Sequence, residues 1–366
     1  MFLTILIFAV VLAILVLSHE AGHAVVAWIS GCRVEEFGIG FPPKIFSKKI
    51  GETIFSINAL PLGGFVRITG EDGDSDKEEV QDVKKDSRSF ANKNPLVKLF
   101  ILLAGVGMNV LLAVVCYTLI AGIGADVSVE AKSGSNTLQN QRVEIVGVEK
   151  NEVLTKAGIL EGDVLKEING EAVYDSATVV EKIKSFSGHE LVLSLMRGKE
   201  MQKTTLVFDG NHEVGKPVGL SLLDMATYKV VWWQAPIEGV KSTAHVIKMT
   251  AVGIGGLFGD LIWKREVPSD VAGPVGIATL VGSIGRQGML PLMELVAVLS
   301  VNLALINILP IPALDGGRAL FVIIESAGVR FLRGKPERIA HTVGFALLIL
   351  LVLLITINDI RRIIHP

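Results

Sequence analysis

The first seventeen residues carry one polar side chain, Thr4, and the run ends in Ser18, His19 and Glu20. Three further stretches, at 96–124, 290–310 and 339–357, are apolar over comparable lengths. With the first, taken as 2–29, each is near the ~20 residues an α-helix needs to cross ~30 Å of hydrocarbon. The pattern changes at 34–70, where "GIGFPPKIF" and "ETIFSINALPLGGFVRITGED" set β-branched and aromatic residues between Pro and Gly pairs. This reads as strands joined by turns around Pro61-Leu62-Gly63-Gly64. The stretch 71–94 is crowded with Asp, Glu, Lys and Ser and reads as a solvated linker.

Residues 128–223 follow a different rule. "RVEIVGV", "ELVLSLMR" and "KTTLVF" alternate as strands do, and "DSATVVEKIKSF" puts apolar residues at 179, 180, 183 and 186, on one helical face behind an Asp175 or Ser176 cap. Between them, "KAGILEGDVLKEINGEAV" resembles the glycine-and-aspartate signature of PDZ domains in bacterial proteases. By that resemblance 126–225 is an inserted α/β PDZ domain, closed by "VGLSLL" beside a groove that takes an extended chain as an added strand. Residues 226–288 have an apolar face interrupted by Lys241, His245 and Lys248, the pattern of an amphipathic helix at the membrane interface rather than a fifth span.

Composition supports membrane residence: of 366 residues 50% are hydrophobic, and mean hydropathy is +0.53. The formal net charge of −2 gives no electrostatic case for a nucleic-acid partner. Cys32 and Cys116 are too few for a disulfide framework and read as small hydrophobes. The first apolar run lacks a basic leader and a small-residue cleavage site, so it is expected to stay uncleaved. No Lys or Arg precedes it, whereas 31–95 holds ten and 313–338 holds five. The positive-inside rule then makes both loops cytoplasmic, with both chain ends and 126–287 outside; Arg361 and Arg362 weigh against this.

Ionisable groups at the end of a spanning helix are costly and call for partners or function. His19 and His23 stand at i and i+4, so their rings share a helix face and can meet one Zn²⁺; Glu20, about 100° around, can serve as general base. A plainer alternative leaves them as helix-end residues satisfied by interfacial water. A catalytic zinc needs a third protein ligand. "NLALINILPIPALDGGR" offers Asp315, after a helix broken by Pro310 and Pro312. In the topology above, both motifs reach the cytoplasmic end of the membrane.

Those residues carry a wider resemblance. "HEAGH" in the first helix, "NILPIPALDGG" in a later one and a PDZ domain between them resemble the site-2 protease family of intramembrane zinc metalloproteases, in its RseP/RasP-like branch with a single PDZ domain. "PLGGFVRITGED" is similar to the family's membrane-associated β-hairpin, and "AGVGMNVLLA" to its second-helix motif, with Val106 replacing a proline and Val110 an aromatic residue. The resemblance implies a polytopic α-helical protein of a bacterial inner (cytoplasmic) membrane with about four spans: 1–125 as one catalytic half, 289–366 as the other. It implies that His19, His23 and Asp315 bind Zn²⁺, that Glu20 is the base, and that Asn307 contacts substrate, the alternative for Asn307 being an interhelical hydrogen bond. Asn109 and Asn302 read as packing residues and Glu294 as a wet interface residue. His245 and His341 have no partner spacing; His189, His212 and His365 read as surface residues.

The expected reaction is hydrolysis, within the lipid bilayer, of single-span membrane proteins such as anti-sigma factors or remnant signal peptides, after trimming by an upstream site-1-type protease. A strand edge near 53–69, with Gly63 and Gly64 allowing close approach, would hold the unwound substrate. The competing expectation is a non-catalytic adaptor that uses its PDZ domain to bind envelope proteins. A transporter would need paired repeats and matching broken helices, which the sequence does not show.

Overall fold

The computed structural model describes residues 2–71, 86–129, 138–149, 151–198, 200–208, 218–260, 273–328 and 335–364. Most of the linker expected at 71–94, together with His212 and His365, lies outside these residues. The chain divides into two compact units, one of Met1–Ile120 with Pro236–Pro366 and one of Ala121–Ala235.

The first unit is built on α1 (Phe2–Ile29), α2 (Pro95–Ile123), α5 (Ala235–Gly259), α6 (Pro274–Gly285), α7 (Met289–Asn307), α8 (Asp315–Ser326) and α9 (Lys335–Ile364). A helix satisfies its own backbone polar groups, which is what hydrocarbon demands of a spanning segment. Among the described residues four helices are long and apolar enough to cross a membrane: Leu3–Ile29, Pro95–Ile123, Met289–Asn307 and Pro336–Arg361. Their outer faces show the large apolar side chains that lipid accepts, among them Leu6, Val10, Phe100, Leu111, Phe345 and Leu350. Helix α5 is not one of the four. It runs beside two of them: a Cβ on its Gly239 would fall 2.2 Å from Thr118 Oγ1 on α2, and Thr250 Oγ1 donates to Asn302 Oδ1 on α7 at 3.0 Å. The second of these contacts supports a packing role for Asn302.

Strands β1 (Val34–Ile50) and β2 (Thr53–Ile68) turn at Gly51-Glu52 and then each fold back on themselves. Residues 36–39 of β1 face 54–57 of β2 on one side and 64–67 on the other; 46–50 cover the far side of 53–57. The chain therefore reverses between Ile57 and Gly64, where the Pro61–Gly64 turn was expected. Packing ties this sheet to the helices: Val34 and Ile68 share a core with Ala27 and Cys32, Ile101 and Leu102 of α2, and Ala319 and Val322 of α8. The burial of Cys32 and Cys116 accords with their reading as small hydrophobes.

The second unit encloses the expected α/β segment. Strands β3 (Ala125–Ser128), β4 (Leu138–Val148), β5 (Val164–Ile168), β7 (Glu190–Arg197), β8 (Glu200–Val207) and β9 (Leu220–Tyr228) form a sheet in the order β3-β9-β4-β5-β7-β8, with β6 (Glu171–Ala172) added to β5. Asn169 and Gly170, both at positive φ, make the tight hairpin between β5 and β6. Helices α3 (Glu152–Ala157) and α4 (Ser176–Ser185) complete the unit. Asp175 caps α4 by accepting from Thr178 N at 2.7 Å. Val179 and Ile183 of that helix enter the core beside Leu165, Leu193 and Leu206, whereas Val180, grouped with them by periodicity, is exposed. The Arg197 guanidinium beside the buried Asp163 holds that carboxyl below the usual carboxylate range.

Candidate active site

His19 and His23 lie one turn apart on α1, buried, with ring centroids 4.8 Å apart and planes at 81°. Asp315 comes from the first residue of α8. Its Oδ2 is 3.0 Å from His19 Nε2 and 3.4 Å from His23 Nε2, and the two Nε2 atoms are 3.2 Å apart. Three donors of a tetrahedral zinc at ~2.0–2.1 Å stand ~3.3 Å from one another, so this triangle has the size such a site requires. Asp315 Oδ2 is also buried and accepts no hydrogen bond among the described residues. A carboxylate oxygen facing two imidazole nitrogens, without a hydrogen bond from either, is the arrangement a cation satisfies. The three residues fit Zn²⁺.

The supporting contacts agree. His23 Nδ1 is 2.8 Å from the Ile101 carbonyl oxygen, which can only accept; Nδ1 therefore carries the proton and Nε2 presents a lone pair. Asn109 on α2 reaches His19 Nδ1 at 3.3 Å through its amide. Its Oδ1 is otherwise buried without a partner. With the amide oxygen turned to Nδ1, His19 donates there and keeps Nε2 for a cation. Ser300 of α7 donates to the Asn109 backbone oxygen at 2.8 Å, fixing that residue between two helices. The packing role expected of Asn109 is therefore joined by one beside the histidines.

Two glycines let α1 and α2 approach closely enough for this. A Cβ on Gly22 would fall 2.3 Å from the Ala104 carbonyl oxygen, and one on Gly105 would fall 2.4 Å from His23 Nε2. Neither glycine stood out in the sequence as part of the site. The signal available was the cluster of small residues Ala104, Gly105 and Gly107 in an apolar helix.

Between α7 and α8 the chain makes a tight passage through Pro310 and Pro312, and Leu314 N–H bonds back to the Ile311 oxygen at 3.1 Å. Gly316 and Gly317 sit against the carbonyls of Ile308 and Ile311, where a Cβ would come within 2.2 Å. Asn307, the last residue of α7, places Nδ2 3.3 Å from His19 Nε2 of α1, a contact between helices that also sets the amide inside the cluster. Gly64 also borders it: a Cβ there would lie 3.6 Å from Glu20 Cγ and 3.4 Å from Val16 Cγ1, so the 64–67 strand runs directly along α1. Gly63 faces Phe41 instead.

The sequence profile described as peptidase family M50 matches residues 7–351 of this chain. Among curated relatives, the zinc metalloprotease RasP of Geobacillus kaustophilus (strain HTA426) is 29% identical over 438 residues, covering 98% of each chain. The regulator of sigma-W protease RasP of Bacillus subtilis (strain 168) is 28% identical, again across 98% of each.

Proposed function

On the premise that this chain belongs to peptidase family M50, the site-2 proteases, and is a zinc metalloprotease, we propose that His19, His23 and Asp315 hold its zinc and that Glu20 is its general base. The observation that carries the reading is the triangle of two Nε2 atoms and one carboxylate oxygen, 3.0–3.4 Å on a side, closed by residues 292 positions apart in sequence at their nearest (315 − 23). Zinc held there supplies a Lewis acid for the scissile carbonyl and a water whose pKa falls toward ~7. The Glu20 carboxylate accepts the proton of the attacking water and returns it to the leaving amide nitrogen. Asn307 Nδ2, beside His19, donates to the carbonyl oxygen as negative charge develops on it. His23 and His19, each anchored through Nδ1, keep their Nε2 atoms aimed and do not exchange protons.

Substrates in this reading are single-span membrane proteins, including anti-sigma factors and remnant signal peptides. The regulator of sigma-W name borne by the Bacillus subtilis relative points the same way. A helical substrate hides its amides, so it must unwind, and the 64–67 strand along α1 offers an edge on which it can pair. The 126–225 region is a PDZ domain outside the membrane in this reading, and limits access by substrates with large external parts until an upstream protease trims them. The zinc assignment is tested by metal content. The purified chain should carry about one zinc, lost in His23→Ala and Asp315→Asn and kept in Glu20→Gln. Zinc retained by the first two variants would overturn the ligand set.

A further inference from the structure

The passage that delivers Asp315 is gripped from a helix that the site has not so far involved. Ala313, two residues before Asp315, has φ +81°, a left-handed conformation that a residue with a Cβ rarely adopts. Its backbone N–H donates to His341 Nδ1 on α9 at 2.8 Å. Because Nδ1 accepts, His341 is the neutral tautomer protonated at Nε2, and that Nε2 is buried with no hydrogen-bond partner among the described residues. The ring is therefore placed for Ala313 and leaves its own donor unsatisfied in doing so. Gly344, one turn along the same face of α9, lies beneath the same passage: a Cβ there would come within 2.5 Å of the Pro312 carbonyl oxygen. The Phe321 ring of α8 packs on His341 with centroids 5.4 Å apart. Loop, α8 and α9 meet at this histidine, and the strained residue it holds is the one that turns the chain into Asp315.

We propose that His341 is a positioning residue of the metal centre: its Nδ1 lone pair holds Ala313 in the left-handed turn that aims the Asp315 carboxylate at His19 and His23. This rests on the reading of Asp315 as a zinc ligand. Residues that orient a metal ligand typically change metal affinity 10–100-fold when altered. Two variants separate the lone pair from the packing, since Asn keeps an acceptor at the position of Nδ1, two bonds from Cβ, and Met fills the space without one.

The test uses the full chain in detergent micelles. Zinc affinity is read by chelator competition, and ligand geometry by the visible absorption of the Co²⁺-loaded protein. Expected are a loss of about 10–100-fold in zinc affinity with an altered cobalt spectrum for His341→Met, and near wild-type values for His341→Asn. Adding Ala313→Gly to His341→Met should restore most of the affinity, because glycine adopts the turn unaided. Wild-type affinity and spectrum in His341→Met would overturn the proposal. So would equal losses in the Asn and Met variants, or loss of the zinc-free thermal transition in both, since a histidine needed only for folding accounts for either. Asp315→Asn serves as the arm for the underlying reading. Unchanged zinc affinity there would remove Asp315 from the ligand set and the proposal with it, whereas loss there with a wild-type His341→Met would sink the proposal alone.

Discussion

Single atoms decide whether this site exists. Gly105 is the clearest case, since its missing side chain is what lets both histidine rings sit against α2. Gly105→Ala should abolish zinc binding and cleavage, with affinity falling by at least about 100-fold. Gly107→Ala, two residues on, where a Cβ meets nothing within 4 Å, should leave both near wild type. Zinc per chain and reporter cleavage check the pair; equal behaviour of the two variants would contradict the packing account. At this scale the meeting of His19, His23 and Asp315 was legible, because a helix repeat and a depth argument suffice to bring them together. Gly22, Gly105, the Ile101 carbonyl and His341 were not. Their importance lies in the register between helices, which a single sequence does not state. Asn109 shows the boundary: a packing role was expected of it, but not that its amide would face His19.

Among the elements, the four apolar helices could be read from length and composition, with ends within a few residues of those observed. The folded-back sheet was harder. Strands and a turn at Pro61–Gly64 were expected, yet nothing in the alternation says that 36–39 lies between 54–57 and 64–67. Apolar residues occur on both sides of each strand, so pairing order is not encoded in which face is polar. In the proposed mechanism that order matters, because it presses the 64–67 strand onto α1 next to Glu20. Inserting two residues between Gly63 and Gly64 shifts its register without touching the metal triangle. Cleavage of a single-span substrate should fall at least about tenfold while zinc content stays at the wild-type level. Unchanged cleavage would remove the strand from substrate holding.

For the molecule as a whole, the chain interrupts the helical unit that carries His19, His23 and Asp315 with a second unit that has its own core, Val143, Ile145, Leu165, Leu193 and Leu206 among its members. A unit with an independent core can be removed with limited damage to the other. Deleting 126–225 and joining the ends by a flexible linker should leave zinc content intact and widen the range of single-span proteins cleaved, most visibly those with large external domains. An unaltered range would count against the proposed filter. The claim on which the rest depends is that Glu20 does chemistry at a metal held by its neighbours. It is tested most directly by incubating wild type and Glu20→Gln with one single-span reporter in reconstituted bilayers, measuring cut reporter and bound zinc in the same samples. The account predicts zinc in both and cleavage in the wild type alone, a loss of at least about 10³-fold. Equal cleavage by the two proteins would contradict it.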